Sequence, residues 1–174
     1  LFRGCIRGCR FCQAGFVYRP VREKTAETLL KQARNLVEAS GHEEISLISL
    51  STSDYTCFPQ LANGLLDEFS KDSINISLPS LRIDAFSLDL MQKVQEVRKS
   101  SLTFAPEAGT QRLRDVINKN LSEEEILRGS ALAFEGGWNR VKLYFMIGLP
   151  TETEEDLIGI ATLSEKIVET YYKL

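Results

Sequence analysis

"RVKLYFMIGLPTET" occupies residues 140–153, and one short run holds a strand, a tight turn and the start of a helix. Residues 140–148 carry the β-branched and aromatic side chains that suit a strand. Gly148 and Pro150 break it. Thr151 and Glu154 have the spacing of a capping box, which opens a final helix expected to reach about Tyr172.

The same order recurs upstream. "EISLISLS" (44–51) reads as a buried strand, and "FPQLANGLLDEFSKD" (58–72) as a helix with Leu61, Leu65, Leu66 and Phe69 inward. "INISLPSLR" (74–82) reads as a strand, although Pro79 weighs against a central position. Ser87 caps a helix to about Lys99, and "SLTFAP" (101–106) is a strand. "GTQRLRDVINKNLSEEEILRGSALAFEGG" gives a short helix and a longer one. The longer one is boxed by Ser122 and Glu125 and stopped by Gly136–Gly137. Before all of these, Thr25 caps a helix to about Ser40, with Gly41 at C′ and Leu29, Leu30, Ala33, Leu36 and Val37 on one face. Residues 4–24 show no period and read as a loop.

Strands alternating with helices mean βαβ units and a parallel sheet, so the fold class is α/β. Ligands on such sheets sit at the carboxyl ends of the strands. Those ends are Ser51–Tyr55, Arg82–Asp84, Pro106–Glu107 and Gly148–Pro150. The loop that opens the first unit should join them on one rim.

At 174 residues, 43% hydrophobic and 26% charged, the chain is one globular domain with enough length for a core. A net charge of −3 gives no general attraction to nucleic acid or membrane. Residues 1–24 are the exception: Arg3, Arg7, Arg10, Arg19, Arg22 and Lys24 face a single acid, Glu23. Such a patch is expected to lower thiol pKa values and to welcome an anion. No apolar run has transmembrane length and no signal-peptide pattern is present. The cysteine spacing does not resemble a secreted disulfide framework, so a reducing cytoplasm is expected. The chain begins at Leu1 rather than Met and reads as a fragment or excised domain. His42, the one histidine, belongs to a surface turn and leaves no Cys/His dyad for nucleophilic catalysis.

"RGCIRGCRFC" (3–12) crowds Cys5, Cys9 and Cys12 together. Structural zinc sites generally use two separated cysteine pairs, and this trio is too compact for that. Three thiolates from one loop can ligate three irons of a cubane cluster and leave the fourth iron open. The alternatives are a zinc knot completed by Cys57, or buried thiols without a ligand. Cys57 reads better as a packed loop cysteine.

"CIRGCRFC", with Phe11 before the last cysteine, resembles the cluster motif of the radical S-adenosylmethionine (SAM) enzymes. "YFMIGLPTET" resembles that family's fifth-strand segment. "FAPEAGTQRLRDVINK" resembles a fourth-strand segment that many members write Pro-x-Gln-Ser-Gly, with a basic residue twelve positions after the Gln. Here Glu107 stands at the Gln position and Lys119 follows it. The resemblance covers essentially the whole chain. Its wording is most like a bacterial subgroup whose full-length members often carry a cobalamin-binding domain.

The resemblance implies a partial (βα) TIM-like barrel over residues 1–174, truncated from six units, with a remnant first strand before Gly4 and no last strand. The edge left open is expected to be exposed or paired with a neighbouring molecule in a crystal. It implies a [4Fe-4S] cluster on Cys5, Cys9 and Cys12, with SAM chelating the open iron, and possibly cobalamin in the full-length protein. It also implies an electron donor such as flavodoxin or ferredoxin. Reductive cleavage would give a 5′-deoxyadenosyl radical that acts on an unknown substrate. Ser51, Thr52, Ser53 and Asp54 stand where relatives have Gly-Gly-Glu-like residues for the SAM amino group, though a plain Ser/Thr/Asp turn is the alternative. Glu107 would accept from the ribose hydroxyls and Lys119 would meet the SAM carboxylate. Arg82 would contact carboxylate or ribose. Phe11, Ile147 and Leu149 would wall the adenine. Two other readings stay open: methyl or methylthio transfer to RNA or a small molecule, which the acidic bulk of the chain opposes mildly for RNA, and a zinc-stabilised interaction module without catalysis.

Overall fold

The computed structural model describes residues 1–72, 74–78, 82–85 and 102–174. The strand and helix of the opening stretch are present as β6 (Val141–Phe145) and α6 (Glu154–Lys173). The capping box lies two residues later than expected, at Thr153 and Asp156. Thr151 has φ 65° and completes the turn begun at Gly148 (φ 86°). An N-cap needs extended backbone, which Thr153 supplies with φ −118° and ψ 168°. Asp156 then accepts from the Thr153 N–H and hydroxyl, both at 2.9 Å.

β6 pairs in parallel with β5 (Leu102–Glu107). The ladder is regular to Phe104↔Leu143 and then shifts, so that Glu107 lies opposite Phe145. The shift brackets Ala105–Pro106, and proline has no N–H for a ladder. A second parallel pair joins β3 (Glu44–Ser46) and β4 (Asn75–Ser77). The remnant strand, β1 (Phe2–Arg3), does not start a parallel pair. It folds back antiparallel on β2 (Arg22–Glu23), inside the stretch read as loop. Its Leu1 amine still reaches the Ile48 carbonyl at 3.2 Å, beside β3. Among the described residues the strands form these three two-stranded pieces and no closed barrel.

Residues 47–51 leave the expected strand. The Thr52 hydroxyl donates to the Leu47 carbonyl at 3.1 Å and contacts Ser49 at 3.2 Å. Such local side-chain bonds compete with a ladder. Ile48 and Leu50 are exposed as a result, against the expectation of burial. Of 74–82, the strand keeps 75–77, and residues 79–81 lie outside the described residues, as does the helix expected from Ser87 to Lys99.

The helices follow their end signals. α1 (Ala14–Val17) is a single turn inside the expected loop. α2 (Ala26–Ser40) is capped by Thr25 and ended by Gly41 at φ 67°, though Leu36, expected inward, is exposed. α3 covers Phe58–Phe69, α4 Gln111–Val116, and α5 Glu123–Glu135 with the Ser122–Glu125 box intact. α2 and α3 pack over β3 and β4 around Leu61, Leu65 and Ile76. α5 and α6 pack over β5 and β6 around Phe104, Ile126 and Leu163. Each such side chain, taken out of water, stabilises by roughly 1.5–3 kcal/mol. Leu78 touches both cores and links the halves.

Candidate functional site

The cysteine loop closes through two glycines. A Cβ at Gly4 (φ 96°) would stand 2.6 Å from the Tyr18 carbonyl, and one at Gly15 would stand 1.9 Å from the Arg7 carbonyl. Only a residue without Cβ lets α1 lie this close to the loop. Cys5, Cys9 and Cys12 are free, half-buried thiols. The Arg7 N–H points at Cys5 Sγ at 3.4 Å, and the Cys12 N–H bonds the Cys9 carbonyl at 3.1 Å.

Protein contacts tie this loop to the rim. The Arg7 guanidinium forks onto Asp54, at 3.1 Å from Nε and 2.5 Å from Nη2. Asn118 Nδ2 donates to the Gly8 carbonyl at 2.8 Å, and the Arg10 N–H donates to the Ile117 carbonyl at 2.8 Å. The Arg10 guanidinium adds a bond to the Val116 carbonyl. The loop thus meets both the end of β3 and the segment after α4.

The expected rim residues fall into distinct environments. Thr52 is fully buried and bonded to its own turn, and Ser51 is buried beside it. The Ser53 hydroxyl accepts from the Arg82 N–H at 3.3 Å. The Arg82 guanidinium lies on Asp84, at 2.9 Å from both Nε and Nη2, and reaches the Asn120 carbonyl. Lys119 Nζ meets Glu107 Oε1 at 3.0 Å and lies 5.9 Å from the centre of the Phe11 ring. Ile147 is 76% exposed, whereas Leu149 is buried with Ala108, Leu113 and Ile117 beneath the Lys119 segment. An open pocket of about 440 Å³ lies beside the loop, between Cys5, Ile6, Leu50, Ser51 and Asp54.

The electrostatics correct one expectation. Burial pushes the Cys9 thiol up, and the pull of Lys119 and Arg82 in the other direction does not overcome it. Of the arginines expected to lower it, Arg7 has a carboxylate partner, and Arg10 and Arg19 have carbonyl partners. Asp54 shows the opposite balance: burial opposes its ionisation, yet Arg7 and Ser51 hold it below the usual carboxylate range.

The donor set suits a polynuclear cluster. Three thiols without disulfide partners project from one loop, and a backbone N–H already faces one sulfur. Among the described residues no three Cys, His, Asp or Glu side chains gather for a single metal ion. Thiolates that each bind a different iron need not share one centre. Cys57 packs against the first core, as expected of a loop cysteine.

Sequence reading missed Asn118 and Arg114. Arg114 is fully buried and donates to the carbonyls of Ala108, Gly109 and Leu121 at 3.0, 3.2 and 3.0 Å. It thereby fixes both turns that flank α4. The available signal was its place beside Leu113 and three residues before Ile117, on the inward side of a helix. The Asn118–Gly8 bond has no local signal, because 110 residues separate its partners.

The chain is similar to known proteins in sequence and in fold. The family model described as the Radical SAM superfamily matches residues 1–163. The uncharacterized protein MJ0966 of Methanocaldococcus jannaschii is 38% identical over 172 residues, covering 99% of this chain and 37% of that protein. The ribosomal protein uS12 methylthiotransferase RimO of Prochlorococcus marinus is 34% identical over 108 residues, covering 59% of this chain and 22% of that one. Methylornithine synthase (PylB) has a similar fold, with a TM-score of 0.61 at 14% identity over 94% of this chain and 48% of that one. The chain therefore spans less than half the length of each of these proteins.

Proposed function

From the premise that the chain belongs to the radical SAM superfamily, we propose that it holds the cofactor-binding rim of a radical SAM enzyme. Cys5, Cys9 and Cys12 would hold a [4Fe-4S] cluster, and the strand ends would hold SAM. When bound there, the cluster would supply an electron for reductive cleavage of SAM, and the radical so produced would take hydrogen from a substrate. The observation that supports this reading is that the cysteine loop contacts Asp54 and Lys119, that Lys119 contacts Glu107, and that Arg82 bonds Ser53 and the Asn120 carbonyl beside them. Phe11 belongs to the cysteine loop and lies against the Lys119 ammonium, so a ligand held there would lie beside that loop.

The residues act by placing the cofactor. Asp54 and the Ser53 hydroxyl offer acceptors for an ammonium. Glu107 offers two oxygens to a ribose diol. Lys119 offers a cation to a carboxylate. Phe11 and the exposed Ile147 offer apolar surface for a base, while Leu149 contributes from beneath as packing. A reductant such as flavodoxin or ferredoxin would serve the cluster. The test is anaerobic reconstitution followed by iron and sulfide analysis and titration calorimetry with SAM. Near-stoichiometric iron and sulfide with SAM binding supports the reading, and zinc in their place refutes it.

RimO favours a second reading of the same rim, methylthio transfer. Both readings release 5′-deoxyadenosine, which carries the hydrogen taken from the substrate, so detection of a methylthiolated product beside it would select this one. Cobalamin use and RNA as substrate belong to the full-length protein and are tested there by cofactor extraction and RNA binding.

A further inference from the structure

Three cations beside the cysteine loop already hold internal carboxylates: Arg7 with Asp54, Arg82 with Asp84, and Lys119 with Glu107. The three pairs differ in kind. Both arginines fork onto their carboxylates through two nitrogens. Lysine makes one contact, at 3.0 Å, and Glu107 Oε2 has no hydrogen-bond partner among the described residues. A bidentate fork opens only with the loss of two charge-assisted bonds, while a point contact opens with the loss of one.

The backbone singles out the same pair. Non-glycine residues with positive φ are uncommon, and strain of this kind collects at functional sites. Four are present among the described residues, at Glu107 (69°), Asn118 (53°), Asn120 (47°) and Thr151. Glu107 itself is one, just past the shifted register at Pro106, and Asn118 and Asn120 flank Lys119. The strained backbone aims the two side chains at each other across the rim, where both are mostly shielded from solvent (12% and 16% exposed).

We propose that Glu107 is a resident stand-in for the ligand carboxylate at Lys119, so that SAM binds by carboxylate exchange: its carboxylate takes the ammonium and releases Glu107 to the ribose hydroxyls. The inference rests on the reading that SAM binds this rim. A neutral amide would leave Lys119 without an internal counter-charge, whereas the carboxylate keeps a shielded ammonium paired until ligand arrives. Arg82 and Arg7, held by forks, keep their carboxylates and serve as framework.

The experiment compares two probes on the reconstituted protein: SAM, and SAM lacking its carboxylate (decarboxylated SAM). Their affinity ratio isolates what the carboxylate contributes, and iron chelation by the carboxylate is common to every variant. Glu107→Gln removes the competitor and keeps an acceptor for ribose, so the ratio should rise about tenfold. Lys119→Arg can fork onto Glu107, so the ratio should fall. Lys119→Met should bring the ratio down in both the wild-type and Glu107→Gln backgrounds. Iron content and thermal melts confirm that each variant is folded and loaded, and Lys119→Arg keeps the test open if Glu107→Gln does not load. An unchanged ratio in Glu107→Gln, or in Lys119→Arg where that variant stands in, overturns carboxylate exchange while leaving SAM binding intact. Failure of the loaded wild type to bind SAM overturns the underlying site reading, and the exchange with it.

Discussion

Breaking the fork between Arg7 and Asp54 should loosen the cysteine loop before it affects the core. Asp54→Asn preserves shape but removes the charge, leaving Arg7 with a weaker partner. Two charge-assisted hydrogen bonds in a fully buried site would together contribute about 3–6 kcal/mol. The side chains here are 28% and 11% exposed, and solvent screening takes a surface pair down to about 0–1 kcal/mol. A value of about 1–2 kcal/mol lies between these limits. For a chain of this size that lowers Tm by about 2–8 °C. It also raises the population of an undocked loop about 5- to 30-fold. The assay pairs a thermal melt of the metal-free protein with the rate at which a chelator strips iron from the reconstituted protein. Arg7→Lys should fall between wild type and Asp54→Asn, because it keeps charge and loses the fork. If Asp54→Asn melts with wild type and holds iron as long, the fork is not what docks the loop.

Other outcomes follow from the same structure. Cys5→Ala, Cys9→Ala and Cys12→Ala should each abolish the broad absorbance of the reconstituted protein while Cys57→Ala keeps it, and loss with Cys57→Ala would require a four-cysteine site. Lys119→Ala should weaken SAM binding about tenfold or more with iron retained, as read by titration calorimetry. Leu65→Ala, at a fully buried position between α3 and its neighbours, should cost about 2–5 kcal/mol in denaturant unfolding. Asp156 is buried, which alone would raise its pKa, but bonds from Arg112, Thr110 and Thr153 hold it far below the carboxylate range. Its folded value lies below the unfolded one, so its contribution is full above about pH 3.9 and is lost as pH falls toward the folded value. Asp156→Asn should flatten that acid limb in a melt series.

The elements that reading along the chain located were those whose signals are local. Thr25 with Gly41, and Ser122 with Glu125, fix helix ends within a few residues of themselves, and both act where expected. The box at the end of β6 was displaced by two residues because two competing Thr/acid spacings overlap there. What decides between them is the turn from Gly148 to Thr151, a backbone property that residue type does not dictate. Residues 47–51 failed as a strand for a related reason. Their apolar pattern favours extension, but the hydroxyls at Ser49 and Thr52 supply a local alternative that a pattern of hydrophobicity does not weigh.

The site divides along the same line. Three cysteines within one loop are legible because their chemistry depends on spacing, and the packed character of Cys57 follows from its place before α3. What joins the loop to the rim is not legible. The fork from Arg7 to Asp54 spans 47 residues and the bond from Asn118 to Gly8 spans 110, and nothing near either residue selects its partner. The basic patch obeys the same rule. Counted along the chain, the arginines surround the thiols and should lower their pKa. Folded, Arg7 faces Asp54 and Arg10 faces backbone carbonyls, so burial governs Cys9. Charge in sequence is a sum over residues, whereas charge at a site is what remains after pairing. At this rim Arg7, Arg82 and Lys119 are each paired with a carboxylate, and the pair held by the fewest bonds is Lys119 with Glu107.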